Sequence, residues 1–177
     1  MGPADHFERL GLPRRFSLDP AEVERLYLER SRELHPDVFQ LGSTSEQRAS
    51  LELSSALNEA YATLRDPFRR AEYLLELEGG PGASEVKEMP PAFLEEMLAA
   101  RMQIEELRET SPPGAPEREA MEAELAARRD ALLREVGDAF GQLPQAGPRR
   151  GEVLREIREK LNATKFVQGL LRDLRAD

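Results

Sequence analysis

The sequence predicts an all-α protein, a helical hairpin followed by a three-helix bundle. Three observations predict it. Apolar residues recur at three- and four-residue spacing over six stretches. No segment alternates apolar and polar residues over a useful length, so no sheet is expected. Gly- and Pro-containing breaks between the stretches are short, which makes neighbouring helices antiparallel.

The first long helix begins at "LDPAEV", where Asp19 suits an N-cap and Pro20 the first helical position. Val23, Leu26, Tyr27 and Leu34 follow at helical spacing. Pro36 disfavours helical geometry at His35, so the helix stops near Leu34. After the loop "DVFQLGSTSEQ", a second helix is expected from about Glu46 to Leu64, with Leu53, Leu57, Ala60, Tyr61 and Leu64 on one face. "RDP" breaks it. A third helix, "PFRRAEYLLELE", should bury Phe68, Ala71, Leu74 and Leu75. The first two helices, of similar expected length, should form an antiparallel hairpin.

"GGPGASEVKEMPP" reads as a domain boundary. The expected division is residues 1–78, a linker at 79–90, and a bundle at 91–177. Its helices should span about 91–109, 116–141 and 148–175, separated by "TSPPGAP" and "LPQAGP". On the first, Phe93, Met97, Ala100, Ile104 and Leu107 share a face that suits the core. Leu94, Leu98 and Met102 fall on a separate face. That second stripe is either a partner site or packing against the other domain. On the last helix, Val153, Leu154, Ile157, Leu161, Thr164 and Leu171 follow one face. Phe166 lies nearly opposite Ile157, as a hot-spot anchor or a contact with a neighbouring helix.

Composition excludes several functions. The net charge of −9 disfavours nucleic acid, whose phosphates need a basic partner surface. Without cysteine there is no disulfide, thiolate catalysis or cysteine-bound metal. No apolar run approaches the ~20 residues that span a bilayer. The opening "MGPADHFERLGLP" shows neither a signal peptide nor a myristoylation signal. A soluble cytoplasmic protein is expected, with no membrane partner.

"RELHPDVF" poses the functional question. His35, Pro36 and Asp37 could be a helix stop, a proton-transfer pair or a docking tip. Hydrolysis by a His/Asp pair needs a nucleophile and an oxyanion hole, and no G-x-S-x-G elbow or cysteine is present. No metal-ligand spacing accompanies either histidine, and no P-loop or G-x-G-x-x-G turn appears. No catalytic residue, metal or cofactor is therefore expected. The tripeptide alone is a weak signal; at the tip of a helical hairpin it is a specific one.

In that position it resembles the J-domain, the module that activates DnaK-type ATPase chaperones. Three stretches extend the resemblance: "DHFERLGLPRRFSLD" at 5–19, "LHPDVFQLGSTSEQ" at 34–47 and "LNEAYATLRDPFRRAEYLLELEG" at 57–79. They resemble the HscB family of iron–sulfur co-chaperones, because generic J-domains do not usually carry "RAEYLL" there. A general DnaJ would continue into a Gly/Phe-rich region and cysteine zinc modules, and this chain has neither. Val38 stands where a lysine commonly follows the tripeptide.

The resemblance implies a J-domain at 1–78 and a scaffold-binding bundle at 91–177. It implies an HscA-like chaperone that meets His35, Pro36 and Asp37 together with Arg25, Arg30 and Arg32 on the preceding helix. Arg25 and Arg32, seven residues apart, share a face; ordinary surface charge paired with Glu22, Glu29 and Glu33 is the alternative. It also implies that an IscU-type iron–sulfur scaffold binds the bundle. Leu94, Leu98 and Phe166 match apolar positions of that patch. Glu95, Ala99 and Met102 occupy its other positions without reproducing the usual acidic and apolar order. The alternatives are a J-type adaptor for a different client, or a purely structural helical adaptor.

Overall fold

The computed structural model describes residues 4–34 and 43–176. Those residues form seven α-helices and no strand: α1 (His6–Leu10), α2 (Pro20–Glu33), α3 (Thr44–Arg65), α4 (Pro67–Leu77), α5 (Pro91–Thr110), α6 (Pro116–Gln142) and α7 (Arg150–Arg175). The expected all-α architecture is what the chain adopts. The fold divides into two compact units, residues 1–74 and 75–177, and the division falls within α4.

In the first unit, α1 is an element that periodicity does not reveal. Its five residues are fixed by their ends. The Asp5 side chain accepts from the Glu8 amide while Glu8 accepts from the Asp5 amide, a reciprocal capping box. Gly11 ends the helix at φ 70°, where a side chain would be strained. Phe7 and Leu10 are thereby carried into the core.

α2 starts as expected. Asp19 accepts from the Ala21 amide and Pro20 stands at the first position. It ends at Glu33 with Leu34 as its C-cap. α3 begins slightly earlier than expected, because Ser43 and Glu46 form a second capping box. The helices run antiparallel: Tyr27 stacks on Tyr61 at 4.0 Å, while Leu34 meets Ser50. They are not of similar length, at 14 and 22 residues.

Leu57, Ala60 and Leu64 of α3 are buried as expected, with Val23 from α2 and Ala71 and Leu74 from α4. Truncating a residue such as Leu64, 0% exposed, to Ala would cost about 2–5 kcal/mol. Leu53 does not join this core; it is exposed. At that level the interior of the hairpin is polar, filled by Ser50 and Ser54. Asp66 breaks α3 in extended geometry and caps α4 by accepting from the Arg69 amide. Buried Arg70 donates to the Leu64 carbonyl and lies over the Phe16 ring.

In the second unit, α4 closes with a Schellman turn. Gly79 at φ 72° donates to the Glu76 carbonyl and Gly80 to that of Leu75. The segment 79–90 is ordered against α7. Val86 is buried, and the Asn162 amide donates to the Val86 and Glu88 carbonyls. Arg150 holds Glu78 through both its carbonyl and its carboxylate.

α5, α6 and α7 then form the expected bundle, and α7 contacts both of the others. The core combines Phe93, Met97 and Ile104 of α5, Met121, Leu125 and Leu132 of α6, and Ala163, Val167, Leu170, Leu171 and Leu174 of α7. Ala100 and Leu107 pack at its edge. The whole expected α5 core face is therefore in place. Buried Arg118 donates to the Leu107 and Arg108 carbonyls and so caps the C-terminal end of α5.

Candidate functional site

The described residues hold no group of three or more His, Asp and Glu side chains that could bind a metal. None of their helices is long and apolar enough to cross a membrane. His6 packs on Tyr73 at 4.2 Å between ring centroids. Burial lowers its pKa below 6.5, partly opposed by Glu59. Two surfaces stand out among the described residues.

The first is the exit of α2. His35, Pro36 and Asp37 lie outside the described residues, and Leu34 is the last residue described before them. Its carbonyl accepts hydrogen bonds from two serines across the hairpin, Ser50 Oγ at 2.9 Å and Ser54 Oγ at 2.8 Å. Two donors from successive turns of α3 thus anchor the end of α2. Sequence reasoning missed this clamp, although two serines four residues apart on the inner face of a helix were its visible trace.

The arginines of α2 are arranged unevenly. Arg25 is exposed and paired with Glu29 at 2.8 Å, as the surface-charge alternative expects. Arg32 is exposed. Arg30 is half-buried, with its guanidinium against Gly11 where a Cβ would clash. The structure therefore leaves Arg25 and Arg32 outward and turns Arg30 towards the end of α1.

The second surface is a row on α5. Leu94 is 49% exposed, Leu98 62% and Met102 65%. They lie four residues apart, one turn above another, while the same helix buries Phe93, Met97 and Ile104. Glu95 and Ala99 are exposed beside the row. Glu96 is tied to Arg128 at 3.0 Å, and the Arg128 guanidinium lies over the Phe93 ring.

Phe166 takes one of the two places open to it. It does not stand off the core: it is half-buried against the core cluster and meets Phe93 edge-on at 6.2 Å. The reason is that α7 packs on both α5 and α6, so its buried arc is wider than one stripe. The expected contact with a neighbouring helix is therefore observed, and the side chain stays partly exposed.

Comparison with known proteins adds the decisive observation. A DnaJ domain model matches residues 5–73, and a model described as the HSCB C-terminal oligomerisation domain matches residues 89–175. A co-chaperone protein HscB homolog of Bordetella pertussis is 33% identical over 171 residues, covering 95% of this chain and 100% of that one. The chain belongs to the HscB co-chaperone family. Another HscB homolog, from Burkholderia mallei strain SAVP1, is 35% identical over 155 residues, covering 86% of this chain and 85% of that protein.

Solved HscB structures share the fold. The chaperone HscB from Vibrio cholerae matches with a TM-score of 0.76 at 29% identity, over 97% of this chain and 95% of that one. The human co-chaperone protein HscB matches with a TM-score of 0.77 at 26% identity, over 97% of this chain and 80% of that one. The expected J-domain is thus present, and the partner of an HscB-type J-domain is an Hsp70-type chaperone.

Proposed function

We propose that this HscB-family chain is a cytoplasmic adaptor that performs no turnover of its own. Its J-domain, residues 1–78, stimulates ATP hydrolysis by an HscA-like, DnaK-type chaperone through His35, Pro36 and Asp37, helped by the basic face of α2. Arg25 and Arg32 are the outward members of that face; Arg30 has the lesser share because it is turned towards Gly11. The bundle, residues 91–177, presents an IscU-type iron–sulfur scaffold. Residues 79–90 connect the two.

One observation carries the scaffold reading: α5 leaves Leu94, Leu98 and Met102 exposed in a row although the bundle core is already complete. An unspent apolar row of this kind suits a protein partner. Glu95 and Ala99 flank it, and Phe166 of α7, half-buried against Phe93, is the further apolar residue assigned to the scaffold site.

The mechanism is coupling. Holding scaffold and chaperone on one chain raises the effective concentration of each for the other. Faster hydrolysis requires J-domain contacts that favour the hydrolysis-competent state of the chaperone over its resting state. Calorimetric titration of the chain with an IscU-type scaffold tests the client half directly. Saturable one-to-one binding is expected. Absence of binding, with chaperone stimulation intact, would mean a J-type adaptor for a different client.

A further inference from the structure

Met102 occupies an unusual place among the methionines. Of the four in the described residues, Met97 and Met121 are core residues at 3% and 4% exposure, and Met89 is partly buried against the same cluster. Met102 is 65% exposed and continues the row begun by Leu94 and Leu98. Its thioether is therefore open to small oxidants while those of Met97 and Met121 are shielded. The chain has no cysteine to intercept such oxidants first.

We propose that Met102 is an oxidation site that regulates the α5 row: hydrogen peroxide converts its thioether to the sulfoxide, and this disables docking of the scaffold. The inference rests on the reading of the row as the scaffold site. In the reaction a sulfur lone pair attacks one peroxide oxygen and the O–O bond breaks. The other oxygen leaves and, after proton transfer, becomes water. Sulfur is oxidised by two electrons and the peroxide is reduced by two. The product carries a strong acceptor oxygen where an apolar partner offers no donor, so covering it leaves a polar group without a hydrogen bond. The fold is spared, because this side chain contributes little to the core. Methionine sulfoxide reductases reverse the change, which makes it a switch rather than damage.

The test treats the full chain with hydrogen peroxide, follows each methionine by peptide mass spectrometry, and titrates treated and untreated protein with a purified IscU-type scaffold. Met102 should oxidise well before Met97 and Met121. Scaffold affinity should then fall about tenfold or more with helicity unchanged, and recover on treatment with the reductases. For Met102→Leu, compared with its own untreated sample, peroxide should change affinity less than about twofold, well within the tenfold scale of a lost anchor.

Undiminished affinity after Met102 is fully oxidised would overturn the inference alone. So would equal peroxide losses in Met102→Leu and wild type, or oxidation of Met97 and Met121 as fast as Met102. Untreated wild type that does not bind the scaffold would instead refute the docking reading, and the inference with it.

Discussion

Replacing Leu94 and Leu98 together by Ala separates a docking row from a packing row. Each change removes about three methylene-sized groups, worth about 2.4 kcal/mol when fully buried. With Leu94 49% exposed and Leu98 62% exposed, roughly 1.2 and 0.9 kcal/mol of that is at stake in folding. Compactness of the unfolded chain and the better helix propensity of Ala reduce the loss further, so the double variant should lose less than about 2 kcal/mol. The exposed remainder is what an apolar partner gains by covering these side chains, about 2.7 kcal/mol in all, or roughly a hundredfold in Kd. Because buried area overstates affinity, a loss between about tenfold and a hundredfold is expected. Phe166→Ala alone should lose roughly 2 kcal/mol of stability, as its half-buried contact with Phe93 goes. Urea melts beside calorimetric titration with an IscU-type scaffold read both quantities. Scaffold binding by Leu94→Ala/Leu98→Ala within twofold of wild type, or a melt showing a loss above about 4 kcal/mol, would refute the reasoning.

Charge reversal of Arg25 and Arg32 to Glu should weaken chaperone stimulation, more so at low salt, because exposed charges are screened over about 10 Å at 0.1 M. Folding should lose little, since the Arg25–Glu29 pair is exposed on both sides; salt-independent stimulation would count against the basic face. Ser50→Ala/Ser54→Ala should destabilise by about 1–3 kcal/mol, since the Leu34 carbonyl loses both side-chain donors. Ser50→Ala alone should cost less, and a double variant as stable as wild type in urea would disprove the clamp. For His6, burial lowers the folded pKa below the unfolded value of 6.5. The unfolded chain therefore binds the proton first, and this contribution to stability is full above about pH 6.5 and declines as pH falls through the window below it. Urea melts at pH 7.5 and pH 6 should show that decline in wild type and a smaller one in His6→Gln, whereas identical slopes would contradict the burial of the ring.

Where local chemistry and periodicity agree, the fold was legible. Asp19–Pro20 marks the start of α2, and the face of Phe93, Met97 and Ile104 marks the buried side of α5. The same periodicity isolated Leu94, Leu98 and Met102 as surplus, and they are exposed. What escaped has physical causes. α1, at five residues, is shorter than two helical turns and shows no period, so only its capping box and Gly11 betray it. Leu53 looked buried on the wheel, but the hairpin interior at its level is closed by Ser50 and Ser54 instead. For Phe166 the wheel left two outcomes open because it assumes one buried face, whereas α7 packs against two helices.

Steady-state ATP hydrolysis tests most directly whether an ATPase and a client are coupled on one chain. The rate of an HscA-like chaperone is measured with this protein, with and without an IscU-type scaffold, for wild type, His35→Gln and Leu94→Ala/Leu98→Ala. Wild type should raise the rate alone and raise it further with scaffold. His35→Gln should abolish both increments while keeping a wild-type urea melt. Leu94→Ala/Leu98→Ala should keep the first increment and lose the second. Unimpaired stimulation by His35→Gln, or loss of both increments in the α5 variant, would contradict the division of labour between the two domains.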